Sequence, residues 1–185
     1  MGKRLFVSID LDGLEDEVAT VQDLFSDAPG LNFTDPGQAH VTMKFLGDTP
    51  SHRVDAIVDA LDAAVADASV GPFTAEFGGL GVFPSLDYIS VVWLGVDAGS
   101  DEMVTLQSAI EPRLVDLGFD EEDHEFTPHV TLARMEHAGG KELVQQTVRE
   151  AEPTVGTMHV EEVRLTESVL TADGPEYATL ERFEL

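Results

Sequence analysis

Cysteine is absent from this 185-residue chain, and basic residues are scarce. Without thiols the chain can form no disulfide, no thiolate-ligated zinc site or iron–sulfur cluster, and no cysteine nucleophile. No apolar run approaches the roughly 20 residues that a membrane helix needs. The N-terminus leads into an alternating segment and lacks the apolar core of a signal peptide. We therefore expect a soluble, cytoplasmic protein with no membrane partner.

Positive charge is the second scarcity. Lysine and arginine total 10 against 36 aspartate and glutamate residues, which gives a formal net charge of −26. The acidic residues are spread along the chain, so their mutual repulsion acts on the compact state. We interpret this as adaptation to a saline cytoplasm, where the Debye length falls to about 3 Å near 1 M salt. An acidic protein from an ordinary cell is the alternative.

One short pattern is present twice: residues 40–43 read His-Val-Thr-Met, and residues 129–132 read His-Val-Thr-Leu. Successive side chains of a strand point to opposite faces, so His40 shares a face with Thr42, and His129 with Thr131. Two such strands brought together would offer two imidazoles for proton transfer and two hydroxyls for hydrogen bonding, which suits hydrolysis of a phosphate diester. The alternative is two ordinary strands with these residues on their polar faces. A chain of this composition, however, should contain only about 0.1 chance matches to the pattern His, apolar, Thr, apolar.

The remaining chain repeats one order of elements: strand, helix, motif strand, helix, then two strands. Gly47 is predicted to end the first motif strand, and the Gly-rich segment 78–85 to form a turn or bulge rather than a phosphate-binding loop. The repetition indicates a single domain of two pseudo-repeats, about 1–86 and 87–185, with possible strand exchange between its lobes. A pseudo-twofold axis would make the motif strands face each other across a cleft.

Taken together, these features resemble the 2H phosphoesterases, and among them the RNA 2′,3′-cyclic phosphodiesterases once called 2′-5′ RNA ligases. The similarity covers nearly the whole chain. The matching segments are residues 4–10, 40–47, 79–85, 92–96, 126–134, 163–168 and 174–177. The resemblance implies an α+β fold in which two mostly antiparallel sheets, flanked by helices, surround a central cleft.

The resemblance further implies hydrolysis of a terminal 2′,3′-cyclic phosphate on RNA to a 2′-phosphate, possible reverse 2′-5′ ligation, and no metal or other cofactor. His40 is assigned as the acid that protonates the departing O3′, and His129 as the base that activates water. Thr42 and Thr131 would hold the non-bridging oxygens. The implied partner is RNA with a terminal cyclic phosphate, and we expect a monomer.

Two cations close to the motifs are further substrate-binding candidates. Lys44 has the strand parity of His40, so we expect it to reach the phosphate or ribose unless it is a solvated edge residue. Arg134 has the opposite parity to His129 and reaches the cleft only if the strand bulges. The four other histidines lack a following threonine, and we expect them at the surface or as caps. They are His52, His124, His137 and His159.

Three alternatives stay open. The same motifs would serve a cyclic ADP-ribose phosphate or an oligoadenylate as substrate. A metal hydrolase could use the two motif histidines with a carboxylate, although no His-Glu-x-x-His or clustered His/Asp spacing supports it. A non-catalytic nucleotide-binding module would keep the fold without the reaction.

Overall fold

The computed structural model describes residues 2–185. Over this range the chain forms nine strands, four α-helices and three short 3₁₀ turns. The strands are β1 (Gly2–Asp10), β2 (Leu31–Phe33), β3 (His40–Pro50), β4 (Phe73–Pro84), β5 (Ile89–Val96), β6 (His129–Met135), β7 (Thr154–Val160), β8 (Glu162–Thr171) and β9 (Gly174–Glu184). The helices are α1 (Glu15–Asp23), α2 (Val54–Ala68), α3 (Ser100–Asp116) and α4 (Lys141–Glu150).

Two glycine-containing stretches lie inside strands, although the sequence predicts a strand end at Gly47 and a turn or bulge in segment 78–85. β3 continues through Gly47 to Pro50, and β4 continues through Gly79 to Pro84. Gly47 and Gly79 adopt φ values of +70° and +75°, and the strand register shifts beside each of them. Glycine tolerates this backbone conformation, which is shared by turns and bulges. The predicted strand end at Gly47 is therefore wrong, whereas the predicted bulge in the Gly-rich segment is confirmed.

All nine strands belong to one sheet with the order β7-β4-β5-β6-β3-β1-β8-β9, and β2 pairs with β6 beside this path. Every pairing is antiparallel. The two motif strands, β3 and β6, join through one residue pair, Val41 with Val130. The two expected sheets are therefore continuous at the motif strands, while the expected α+β class is confirmed.

The two halves of the sheet take strands from both halves of the chain. The β3 half contains β3, β1, β8 and β9, and the β6 half contains β6, β5, β4 and β7. The helices follow the same division, because α2 and α3 pack together on the β3 half while α1 and α4 contact the β6 half. Segments 1–86 and 87–185 thus interleave in space. Their status as repeats within one domain stays a prediction.

The hydrophobic core lies where the helices cover the sheet. Ile57 and Leu61 of α2 and Ile110 of α3 are fully buried, at the helical spacing expected for a core-facing stripe. Val41 and Val130 are also fully buried, so the apolar side of each motif strand faces this core. The opposite side of the strands, called the open face below, carries the histidines and threonines of the motifs. Within residues 2–185, no helix has the length and apolar character needed to cross a membrane.

Candidate active site

The four motif side chains surround the backbone pair that joins β3 to β6. In the register of this pair, His40 lies across from Thr131, and Thr42 lies across from His129. The two imidazoles therefore occupy diagonal positions on neighbouring strands, for which the residues lie about 7–8 Å apart. One phosphate group and one water molecule can bridge such a gap. The structure thus brings together the four residues that the sequence motifs predict.

Each imidazole is oriented by the backbone carbonyl two residues before it. The Nδ1 atom of His40 lies 3.0 Å from the carbonyl oxygen of Gln38, and Nδ1 of His129 lies 2.7 Å from that of Thr127. Because a carbonyl can only accept, each neutral ring carries its proton on Nδ1. Nε2 is left to exchange a proton with a ligand. In His40 this atom lies 2.9 Å from the hydroxyl oxygen of Thr42.

Aromatic side chains pack against both rings. Phe6 stacks on His40 with ring centroids 4.8 Å apart, and Tyr177 meets the same imidazole at 5.3 Å, with the two rings nearly perpendicular. Phe83 and Trp93 contact the imidazole of the second motif at 4.8 Å and 5.9 Å. These contacts restrict rotation of the rings and exclude water from part of each ring.

The surroundings couple the titration of the two imidazoles. Burial lowers the pKa of both His40 and His129, while the carbonyls that bind Nδ1 act in the opposite direction. A weaker cause raises the pKa of His40: the charge of Asp10, its register partner in β1. The charge of His40 in turn lowers the pKa of His129. Because protonation of one ring disfavours protonation of the other, the pair carries a single positive charge, and therefore a single Nε2 proton, over an intermediate pH range.

A β-bulge at the fourth residue of each motif reverses the strand parity beyond it. The pairing of β3 with β1 skips Met43, and the pairing of β6 with β5 skips Leu132. The next residue of each strand consequently turns to the helix-covered face, and the residue after it turns to the open face. The two motif strands therefore share this irregularity as well as their sequence pattern.

The first bulge corrects the expected position of Lys44. Its side chain is 1% exposed and lies on the helix-covered face. There Nζ donates to the Glu111 carboxylate of α3 at 3.0 Å and to the carbonyl oxygen of Asp120 at 2.8 Å. Glu111 also accepts from the backbone N–H of Glu122. Lys44 thus connects β3 to α3 and to the acidic loop 120–125, which precedes β6. It does not reach a ligand on the open face.

The second bulge places Arg134 on the open face, where its side chain is exposed. The bulge is held from outside the strand, because the carbonyl of Leu132 accepts from the backbone N–H of Thr34 at 3.0 Å and from Nε2 of Gln22 at 3.1 Å. Within residues 2–185, the side chain of Arg134 forms no hydrogen bond or ion pair. Its guanidinium therefore remains available to an anionic ligand beside the second motif.

Gln38 is a positioning residue that the sequence patterns do not indicate. Its carbonyl orients His40, and its side chain binds β9: Oε1 accepts from the backbone N–H of Tyr177 at 2.8 Å, and Nε2 donates to the carbonyl of Pro175 at 2.9 Å. Since Tyr177 packs against His40, Gln38 fixes the imidazole both directly and through its neighbour. The available signal was its place two residues before the histidine, which Thr127 shares in the second motif.

The other histidines lie away from the site. His137 caps a 3₁₀ turn by accepting a backbone N–H, and His124 contacts a neighbouring aspartate in solvent. His52 and His159 are exposed. The expectation that these residues are surface or capping residues is confirmed. In the described part of the chain, no group of three or more histidine, aspartate or glutamate side chains is arranged to hold a metal ion.

The fold is similar to that of two solved structures. A protein of Thermus thermophilus superimposes with a TM-score of 0.80 at 25% identity, covering 98% of this chain and 97% of that one. Escherichia coli LigT, solved as a complex with 3′-AMP, superimposes with a TM-score of 0.81 at 21% identity, covering 100% of this chain and 99% of that one. The fold is therefore that of the 2H phosphoesterase class.

Within this class, the chain belongs to the 2′-5′ RNA ligase superfamily, whose family model matches residues 12–170. A relative in Methanothermobacter thermautotrophicus, named RNA 2′,3′-cyclic phosphodiesterase, is 35% identical over 190 residues and covers 100% of both chains. A protein of the same name in Aeropyrum pernix is 35% identical over 76% of this chain and 78% of its own. The family expected from the motifs is thus confirmed.

The burial of Lys44 leads to a stability prediction. We expect Lys44→Ala to lower the free energy of unfolding by about 3–5 kcal/mol, because removing one partner of a buried ion pair leaves an uncompensated charge. Lys3→Ala is the matched control, since the Lys3–Glu167 pair is solvent-accessible and such pairs contribute about 0–1 kcal/mol. Urea unfolding at one fixed salt concentration measures both. Equal stability of the two variants would contradict the buried position of Lys44.

Proposed function

We propose that the protein hydrolyses the 2′,3′-cyclic phosphate at the end of an RNA and leaves a 2′-phosphate. The observation that carries the proposal is the pair of imidazoles, both with Nδ1 bound to a carbonyl, placed diagonally across the join of β3 and β6. Relatives that match the whole chain or most of it bear the name of this activity. The geometry and the family therefore favour the same chemistry.

In the proposed reaction, His129 takes a proton from a water molecule as the water oxygen bonds to phosphorus. The P–O3′ bond breaks in line with this attack, and His40 gives its proton to the departing O3′. The pair begins and ends with one Nε2 proton, which starts on His40 and finishes on His129. Each ring exchanges its proton at Nε2, because Nδ1 is bound to a carbonyl. The single-proton state of the pair is the state that this reaction needs.

The hydroxyls and one guanidinium stabilise the negative charge of the phosphate. When His40 is protonated, its Nε2–H donates to Thr42, so the Thr42 hydroxyl is free to donate to a non-bridging oxygen. Thr131, across from His40, contacts the phosphate from the other strand, and Arg134 adds a positive charge on the open face. These groups supply both proton transfer and charge stabilisation, so the proposed mechanism uses no metal.

An RNA 5′-hydroxyl in place of the water molecule would form a 2′-5′ phosphodiester by the same steps. We therefore propose that the site also catalyses 2′-5′ ligation, which is the reverse of cleaving such a linkage. Both imidazoles come from one chain, and we propose that a monomer is the active form.

The excess of acidic residues is the basis for a further part of the proposal, which is adaptation to high salt. At low ionic strength the field of a protein with a net charge of −26 repels RNA over a Debye length of about 30 Å at 0.01 M salt. Salt screens this repulsion, and it screens hydrogen bonds within the partly buried site much less. We propose that the protein works in a saline cytoplasm.

The first test of the mechanism is removal of each imidazole. His40→Ala and His129→Ala should each lower kcat by about 10²–10⁴, the weight of a general acid or base. Thr42→Ala and Thr131→Ala should lose about tenfold, as expected for single hydrogen bonds. His52→Ala is the control, because this exposed histidine follows β3 at the end opposite His40. The assay uses an RNA ending in a 2′,3′-cyclic phosphate, resolves 2′- from 3′-phosphate products, and is repeated with a strong chelator.

Normal turnover by a folded His40→Ala or His129→Ala protein would disprove the two-imidazole mechanism. Loss of activity in the chelator would show that the reaction depends on a metal. A 3′-phosphate product would show that O2′, rather than O3′, is the leaving group.

The lowered pKa values predict the pH dependence of kcat/KM, which reports the free protein. Because burial lowers the pKa of both imidazoles below about 6.5, the acid is increasingly deprotonated above that pH. We expect kcat/KM to reach its maximum below pH 6.5 and to fall as the pH rises. The optimum of kcat should lie higher, since the bound phosphate anion stabilises the imidazolium. A flat or rising kcat/KM between pH 6.5 and 8.5 would contradict the cited directions.

The charge balance predicts the response to salt. We expect both the melting temperature and kcat/KM to increase from 0.05 M to molar KCl, because screening reduces the self-repulsion of the fold and the repulsion of RNA. The measurement is a KCl series with a short cyclic-phosphate oligonucleotide, with a melting curve at each concentration. A steep decrease of kcat/KM with salt would instead indicate an extended basic RNA-binding surface.

A further inference from the structure

Few cations of this protein are free to bind a ligand. Of the ten lysine and arginine residues, seven pair with carboxylates or donate to backbone carbonyls within residues 2–185. Arg149 extends from α4 into solvent. The remaining two, Arg4 and Arg134, both lie on the open face of the sheet. Arg134 lies beside the second motif and has a role in the proposed mechanism. Arg4 has no role in that mechanism.

Arg4 lies on the β3 half of the open face. It has the strand parity of Phe6, which stacks on His40, and its register partner in β8, Ser168, pairs in turn with Tyr177 of β9. Its guanidinium carbon is 5.0 Å from the ring centroid of Phe45. Its register partner in β3 is Asp48, but Arg4 forms no ion pair in the described chain, although acidic residues outnumber basic ones more than threefold.

Phe45 is exposed because of the bulge in β3. Phe45 holds the same position in β3 that Arg134 holds in β6, because each is the second residue after the bulge of its strand. Phe45 is 50% exposed, so its ring is accessible to a ligand. The two halves of the site therefore differ: the β6 half presents a guanidinium at this position, and the β3 half presents an aromatic ring with a guanidinium beside it.

Tyr177 connects this pair to the reacting groups. Its ring packs against both His40 and Phe6. Burial raises the pKa of Tyr177, while the charges of Arg134 and Arg4 act in the opposite direction, so both guanidinium groups lie within electrostatic reach of the phenol. Arg4, Phe45 and Tyr177 thus form a continuous surface that begins at the first imidazole and leads outward along the β3 half.

The chemistry of the proposed reaction decides which part of an RNA meets this surface. In-line attack places the water molecule and the departing O3′ on opposite sides of phosphorus. O3′ belongs to the terminal ribose, so the ribose and the RNA that precedes it lie on the side of the acid. With His40 as the acid, that side is the β3 half. An exposed aromatic ring suits base stacking, and a guanidinium suits a phosphodiester.

We propose that Arg4, Phe45 and Tyr177 form a subsite for the nucleotide that precedes the cyclic-phosphate nucleotide. Arg4 binds the phosphodiester between the last two nucleosides, Phe45 stacks on the preceding base, and Tyr177 separates this subsite from the reacting phosphate. This inference rests on the proposed function and adds that the substrate is an oligonucleotide rather than a cyclic mononucleotide. It uses the assignment of His40 as the acid.

The test compares 2′,3′-cyclic AMP with the dinucleotide ApA ending in a 2′,3′-cyclic phosphate, because the mononucleotide lacks the internal phosphodiester. We expect wild-type kcat/KM to be at least tenfold higher for the dinucleotide. Arg4→Gln and Phe45→Leu should each reduce this preference about tenfold, mainly through KM, in line with the loss of one charged contact or one stacked base. Arg149→Gln is the control for removing an exposed arginine and should keep the full preference.

An unchanged preference in both Arg4→Gln and Phe45→Leu would overturn the subsite, as would equal kcat/KM of the wild-type protein for the two substrates. A wild-type protein that cleaves neither substrate would instead show that the proposed reaction is wrong. In that case the dissociation constants of the same uncleaved ligands decide about the subsite. Tighter binding of the dinucleotide that is lost in Arg4→Gln would support it, and equal binding of the two ligands would overturn it.

Discussion

The backbone pair between Val41 and Val130 is the contact on which the site depends. It is the one register pair that joins β3 to β6, and the burial of both valines forces the adjoining histidines and threonines to the opposite face. A shift of one residue in this pairing would turn all four polar side chains toward the core. On its other side β3 pairs with β1, and β1 pairs in turn with β8 from the end of the chain.

The distribution of charge explains how so acidic a protein could bind the anion that we propose as its substrate. Lys44 is buried against Glu111, and Arg164 binds Asp10, Asp12 and a further carboxylate. Several acidic side chains near the strands are therefore neutralised by ion pairs within the protein. Arg4 and Arg134 are left without carboxylate partners on the open face. The open face therefore keeps two arginines outside ion pairs although the protein as a whole is acidic, and salt screens the remote acids more than these adjacent arginines.

The two imidazoles are similar in environment but not equivalent. Both are oriented by the carbonyl two residues earlier and packed against aromatic rings. Asp10 acts on His40, whereas His129 is subject to the charge of His40. This asymmetry, together with the difference between Phe45 and Arg134 beyond the bulges, makes the β3 and β6 sides of the site distinct. A cyclic phosphate also has two distinct sides, since one holds the ribose and the other admits water.

The sequence by itself determined the strand faces of the motifs: the alternation of His40 with Thr42, and of His129 with Thr131, follows from the period of a strand and needs no tertiary contact. It also determined most of the element order, because helix spacing and β-branched runs are local signals. Only the tertiary structure decided where the motif strands meet and on which face Lys44 and Arg134 lie. Strand parity predicted the opposite face of the sheet for each of these residues, because a bulge adds one residue to a strand and the local sequence does not indicate it. The bulge in β6 is held by Gln22 and Thr34, which are about a hundred residues away in sequence, and no local pattern encodes such a contact.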